Sequence, residues 1–318
     1  MQKVRNQIHP RKINAAKRFQ KSDTSPYRNT LARKEACFSF YLSDCLLQNK
    51  TNDQEAKRVC FLLNLEIRVK ANETDTSKEK FFSNEQELVE DYLCTLYRNG
   101  QIYADYNLIR TDQHCYEAYV NVPNTESISE KYNNEYVNRS YKYLLVRIKE
   151  KNTNILYEST CNCETVPYFV LFTTSEIGTA SPVICGKCGK EIPLYKIPFL
   201  FGEKEHFTLL NYQKTYASIH ELYMQSLSDR FTKNQLVNPG SALNRMAFEI
   251  RKELENKLKK PVYLSLSRIF LNIKRDSKKI DSSKCPECGK DLAECTYQWG
   301  SLKMFRCDDC RLITDKPW

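Results

Sequence analysis

Histidine is scarce in this chain, with four in 318 residues, and the motifs that usually announce catalysis are missing. There is no Gly-rich phosphate loop, no His-Glu-x-x-His and no Gly-x-Ser-x-Gly. A zinc deaminase needs a ligand histidine, a glutamate two residues on and a later Pro-Cys-x-x-Cys. Here Pro286 lies inside the last cysteine pair, which excludes that pattern. No apolar run reaches the roughly 18 residues that span a membrane, and the N-terminus lacks the apolar core of a secretory signal. These absences predict a soluble, cytoplasmic, non-enzymatic protein with no membrane association and no small-molecule substrate.

Negative charge is nearly absent from one end. Residues 1–34 hold ten Lys and Arg against the single acid Asp23, which places +9 of the net +10 there. With no apolar period and a turn-like run from Ser22 to Pro26, this stretch reads as a flexible basic arm; its composition also fits an organelle transit peptide. Residues 35–244 carry 22 bases and 27 acids, residues 245–284 carry 12 and 5, and residues 285–318 carry 5 and 6. The internal segment 245–284, at +7, and the basic arm are therefore where a nucleic acid would be met. Its candidate phosphate-binding residues are Arg245, Arg251, Lys252, Lys259, Lys260, Arg268, Lys274, Arg275, Lys278 and Lys279. Glu253 with Lys257 and Glu255 with Lys259 are helical i,i+4 pairs that would absorb part of this charge.

Cysteine, in contrast, is abundant, with fourteen in all. Cys285-Pro-Glu-Cys288-Gly289 and Cys307-Asp-Asp-Cys310 form two Cys-x-x-Cys pairs at zinc-ribbon spacing. Two residues between thiolates let one tight turn bring both sulfurs to about 2.3 Å from a single ion. Cys185-Gly-Lys-Cys188 is a third such turn, and Cys161-Asn-Cys163 supplies the two thiolates it lacks. Four sulfurs leave no open coordination position, so each of two structural Zn2+ ions would contribute folding energy rather than activate water. Iron or an iron–sulfur cluster also accepts four thiolates, but evenly split pairs on hairpins favour zinc. Cys37, Cys45, Cys60, Cys94, Cys115 and Cys295 read as small buried hydrophobes. Cys115, beside His114, is the one hint of a nucleophile, and no base sits at a spacing that supports it.

The expected fold class is α+β: an N-terminal α/β sandwich-like unit, a zinc-knuckle region and a C-terminal zinc ribbon. Its parts are an arm over 1–34, an α+β domain over 35–155, a metal-stapled α+β domain over 156–280 and the ribbon over 281–318. Strands are expected over Cys37–Leu47, Gln101–Ile109, Cys115–Val122, Pro167–Thr174 and Val262–Leu266. Helices are expected over Asn52–Leu65, Asn84–Arg98, Tyr136–Lys149 and Leu209–Met224, with another opened by Ser241 and ended by Pro261. Residues 268–284 read as a basic, loosely structured link. His206 and His220 read as structural histidines rather than metal ligands.

The run Cys161-x-Cys163, Ser181-Pro-Val-Ile-Cys185-Gly-Lys-Cys188, Ile192-Pro-Leu-Tyr195-Lys-Ile-Pro198, Pro261-Val-Tyr263, Cys285-Pro-Glu-Cys288 and Phe305-Arg-Cys307-Asp-Asp-Cys310-Arg-Leu312 resembles an uncharacterised bacterial family. That family is described as zinc-ribbon-containing and as a candidate for nucleic-acid binding, and the resemblance spans about 156–318. It implies that both cysteine sets are family features. Such families also sit beside polymorphic toxin genes, which implies a second role: a protein-binding immunity module that neutralises a toxin through the acidic surface of residues 35–244.

Overall fold

Alternation with a period of two, not helical spacing, governs residues 61–69. The computed structural model describes residues 58–59, 61–70, 82–104, 106–152, 155–156, 160–173, 181–266, 283–299 and 302–315. After β1 (Arg58–Val59) comes β2 (Phe61–Val69), in which Leu63, Leu65 and Ile67 are buried while Glu66 and Arg68 lie on the other face. The helix expected over Asn52–Leu65 is thereby corrected. Its described part is strand, because the apolar residues recur every second position. Residues 52–57, like the strand expected over Cys37–Leu47, lie outside the described residues.

α1 (Glu85–Arg98) is the expected helix. Asn84 caps it by accepting from Glu87 N at 2.9 Å, and Leu88, Val89, Tyr92, Leu93 and Leu96 form its buried stripe. β3 (Tyr106–Asp112) and β4 (Cys115–Val122) pair as a hairpin. The first of these strands starts later than expected, because the side chain of Gln101 is buried and donates to Ser127 O at 2.9 Å. α2 (Glu135–Tyr141) is short and gives way to β5 (Leu144–Asn152), followed by β6 (Ile155–Leu156). This corrects the single helix expected over Tyr136–Lys149. Leu144 is buried and Val146 half-buried, while Leu145, Arg147 and Lys149 are exposed, which is strand alternation.

β2 to β5 form one antiparallel sheet in the order β3–β4–β2–β5. Both helices cover the same face, where α1 and Val137 of α2 pack on Leu63, Leu65, Ile67, Tyr116, Ala118 and Val120. This β-α-β-β-α-β connectivity is the ferredoxin-like one. It makes a two-layer unit, helices on sheet.

The second half contains β7 (Phe169–Leu171), β8 (Val183–Cys185), α3 (Phe207–Met224), α4 (Asp229–Val237), α5 (Ala242–Leu258), β9 (Val262–Ser265), β10 (Ala293–Trp299), β11 (Leu302–Cys307) and β12 (Leu312–Asp315). Six of these strands share a sheet in the order β10–β11–β12–β9–β7–β8, with β9 parallel to both neighbours. The segment expected as a separate ribbon therefore continues the sheet built by residues 169–265. Phe169, Leu171, Val262, Leu264 and Leu312 face the three helices, and Tyr168, Val170, Tyr263 and Ile313 form a second buried cluster. Burial on both faces explains why these strands read as continuous apolar runs. Among the described residues no helix is long and apolar enough to cross a membrane.

All of these residues fall in one compact unit, Ser43–Trp318. Gly100, at φ +77, ends α1 against the backbone of Leu194 and Tyr195, where an added Cβ would stand 2.3 Å from Leu194 Cβ. Asn124 and Tyr195 exchange hydrogen bonds at 2.8 and 3.0 Å, and His206 N donates to Arg98 O at 2.9 Å. Buried Glu191 accepts from the Tyr103 hydroxyl on one oxygen and from Ser181 N at 2.7 Å on the other.

Candidate metal centres

Two hairpin turns of the same construction each supply two sulfurs. At the end of β8, Cys185 N donates to Lys190 O at 2.8 Å and Gly189 N to Cys185 O at 2.9 Å; at the second turn, Cys285 N donates to Lys290 O at 2.7 Å and Gly289 N to Cys285 O at 2.9 Å. Gly189 and Gly289 take φ of 71 and 72, the left-handed conformation glycine adopts without steric cost. In each turn the first cysteine is buried and the second exposed.

The remaining sulfurs arrive by different routes. Cys161 is placed by its own N–H, which donates to Glu191 O at 2.8 Å, and Cys163 N points back at Cys161 Sγ at 3.4 Å. Cys307 ends β11, and Cys310 precedes Arg311, which holds φ 54 at the position that glycine fills in the other two turns. A left-handed arginine costs about 1–2 kcal/mol. Arg311 is held by Nη1 donating to Asp308 O at 2.9 Å and by Glu255 Oε1 at 3.4 Å.

The structure gathers all eight expected ligands into the two expected sets. Within each set every sulfur lies within 4.8 Å of the others. Cys288 and Cys307 are 3.6 Å apart, far too distant for a disulfide and close to the about 3.8 Å edge of a tetrahedron with 2.3 Å metal–sulfur bonds. The electrostatics also call for a cation. Burial pushes the thiols of Cys161, Cys188, Cys307 and Cys310 up, and neighbouring sulfurs add to the rise at Cys161, Cys307 and Cys310. Cys288 moves the other way, to about 7, chiefly because Lys290 N–H points at its sulfur. At Cys185 burial opposes ionisation, but the N–H groups of Cys188 and Lys187 outweigh it and the thiol is lowered. Several thiolates this close repel one another unless a cation neutralises them. The donor sets therefore fit two metal ions, each enclosed by sulfur.

The basic candidates are spread more widely. Arg268, Lys274, Arg275, Lys278 and Lys279 lie outside the described residues. Arg245, Lys252 and Lys259 recur every seven residues along α5 and its C-cap, and all three are exposed. Arg245 also donates to Gly240 O at 3.0 Å, and Lys260 to Val166 O at 2.8 Å. Arg251 is half-buried and pairs with Glu255 at 2.9 Å. The i,i+4 pairing expected between Glu255 and Lys259 is thus replaced. Glu255 turns inward to Arg251 and Arg311.

His206 and His220 are buried, and neither joins a cysteine set. His114 sits in the β3–β4 turn with Nδ1 2.5 Å from Glu85 Oε1, so a carboxylate rather than a thiol engages it. Cys295 is buried, Cys94 and Cys115 are half-buried, and Cys37, Cys45 and Cys60 lie outside the described residues. Spacing rules missed Arg311 and Glu191, whose partners Glu255 and Tyr103 are distant in sequence, and missed that Glu255 pairs with Arg251 one turn before it rather than with Lys259 one turn after.

No curated protein and no solved structure matches this chain. A family model described as a domain of unknown function (DUF8589) matches residues 62–151, the ferredoxin-like unit, and one described as a domain of unknown function (DUF2310) matches residues 163–267, from Cys163 through the first knuckle to the end of β9.

Proposed function

We propose that this chain is a non-enzymatic nucleic-acid-binding protein whose two cysteine sets hold structural zinc, the second as a zinc ribbon, and whose α5 meets the phosphate backbone. The observation that carries this reading is the inward turn of Glu255. It leaves Lys259 without the acid that helical spacing would give it, and so keeps Arg245, Lys252 and Lys259 as a positive stripe about 21 Å long, at 1.5 Å rise per residue. Glu249 is the one acid exposed between them on that face. The open face of the ferredoxin-like sheet is a poor alternative. It interleaves Glu66 and Glu117 with Arg68, Arg147 and Lys149, and Glu117 pairs with Lys149 at 2.5 Å, so its charges largely offset one another and offer no positive stripe.

Gel retardation of DNA and RNA at 50 and 200 mM salt tests the reading. Retention should weaken at the higher salt, and reversing Arg245, Lys252 and Lys259 to Glu should flatten the salt slope by about one for each phosphate no longer neutralised. No salt-sensitive retention of either nucleic acid would sink it.

A protein-binding reading, including toxin neutralisation by an immunity protein, is favoured by a different observation. Phe201, Phe207, Leu222, Leu227 and Phe231 are 40–56% exposed within one segment of helices and turns, and exposed apolar groups of this kind mark partner surfaces. Co-purification from RNase-treated extract separates the two. A stable protein partner that survives the treatment supports this reading, and its absence counts against it.

A further inference from the structure

The two cysteine sets are joined by side chains that neither set needs for its own ligands. Just before β7, the ring of Tyr168 lies flat against Gly186, inside the first knuckle, so closely that an added Cβ would stand 2.0 Å from Tyr168 Cε2. Gly186 N donates to Tyr168 O at 2.9 Å. On the neighbouring parallel strand, Tyr263 meets Tyr168 edge-on, with ring centroids 5.3 Å apart at 74°. The Tyr263 hydroxyl donates at 2.5 Å to Asp308 Oδ1, between ligands Cys307 and Cys310 of the second set. Arg306 closes the circuit: its Nε lies 3.1 Å from Asp308, and its guanidinium stands 5.8 Å over the Tyr168 ring. A second strut runs beside it, from Leu264 N to Arg311 O at 2.8 Å, with the Arg311 guanidinium 5.6 Å over Tyr263.

We propose that the two metal sites bind and release their ions as one cooperative unit, coupled through Tyr168 and Tyr263. This rests on the reading that both sets hold an ion, and on nothing about nucleic acid. Removing the ion from the second set frees the Cys307–Cys310 turn. Asp308 then leaves the Tyr263 hydroxyl, Arg306 leaves the Tyr168 face, and Tyr168 no longer braces Gly186. The first set loses its support without losing a ligand. Side chains sharing one network couple by roughly tenfold in an equilibrium constant.

Zinc release from the intact, loaded chain to an excess of chromogenic chelator, under reducing conditions, tests this. The native chain should yield two equivalents in a single phase. Tyr263→Phe, which keeps the ring and removes only the hydroxyl, should split release into two phases differing about tenfold in rate. A merely structural loss would speed both equally and leave them merged. Cys310→Ser should speed release from the first set by a similar factor. Two phases in the native chain, with rates that Tyr263→Phe and Cys310→Ser both leave unchanged, overturn the coupling alone. Fewer than two equivalents overturn the two-site reading, and the coupling with it.

Discussion

Replacing Gly186 and Gly289 by alanine, one at a time, makes the same chemical change in two similar knuckles for two different physical reasons. Gly186 is outside the left-handed region, so its cost is steric. The new methyl would lie 2.0, 2.2 and 2.5 Å from Tyr168 Cε2, Cδ2 and Cζ. The ring must retreat by more than an ångström, but Tyr263 and Arg306 hold it. Overpacking of this kind costs about 1–3 kcal/mol, and losing the edge-on packing of the two rings adds about 0.5–1.5 kcal/mol. Gly289 has φ +72 and nothing within 4 Å of an added Cβ, so only left-handed strain of about 1–2 kcal/mol applies. Urea unfolding of the metal-loaded protein should therefore rank Gly186→Ala as more destabilising than Gly289→Ala. Tyr168→Leu should partly rescue the first and leave the second unchanged. Equal costs for the two alanines, or strict additivity between Gly186→Ala and Tyr168→Leu, would show that the Tyr168 ring does not set the cost at Gly186.

Tyr103→Phe removes the hydroxyl that serves buried Glu191 and leaves Ser181 N as a donor, so thermal unfolding should report a loss of about 1–3 kcal/mol. His206 supplies a pH dependence, because burial pushes its imidazole down to about 4. The unfolded chain, with an ordinary histidine near 6.5, takes up the proton first, so stability is full above about pH 6.5 and falls as the pH drops towards 4. Between pH 6.5 and 5 this amounts to about 1.5 kcal/mol, and unfolding curves of His206→Phe should lack that share of the slope. An unchanged slope would show that His206 is not the group responsible.

Local signals were the readable ones. Asn84 and Ser241 cap α1 and α5 where their side chains predict, accepting from Glu87 N and Asn244 N. Six metal ligands followed from spacing, because a two-residue turn fixes two sulfurs whatever surrounds it, and Cys161 and Cys163 followed as the pair that completes the set of Cys185 and Cys188. β2 and β5 were hidden for a reason that sequence cannot remove. Leu62-Leu63 and Leu144-Leu145-Val146 put apolar residues on both faces of a strand, which obscures the period of two. α4 was hidden because its inward residues are few, Thr232 and Leu236, while Phe231 is exposed. Nor does a helical spacing rule see across the fold. Glu255 has Arg251 and Lys259 each one turn away and takes Arg251, since that guanidinium is half-buried and an unpaired charge there would be costly, while its second partner, Arg311, lies 56 residues on. The same holds for Tyr103 and Glu191, and for the tyrosines between the two knuckles. Their partners lie far along the chain and meet only in the finished sheet.

The proposed function rests on eight cysteines holding two zinc ions. Elemental mass spectrometry on the full chain, purified without added metal under reducing conditions, tests it most directly. Two zinc per chain are expected, falling to about one in Cys161→Ser/Cys163→Ser or in Cys307→Ser/Cys310→Ser when the other set stays folded. Iron in place of zinc, or fewer than two ions in the native chain, would contradict it.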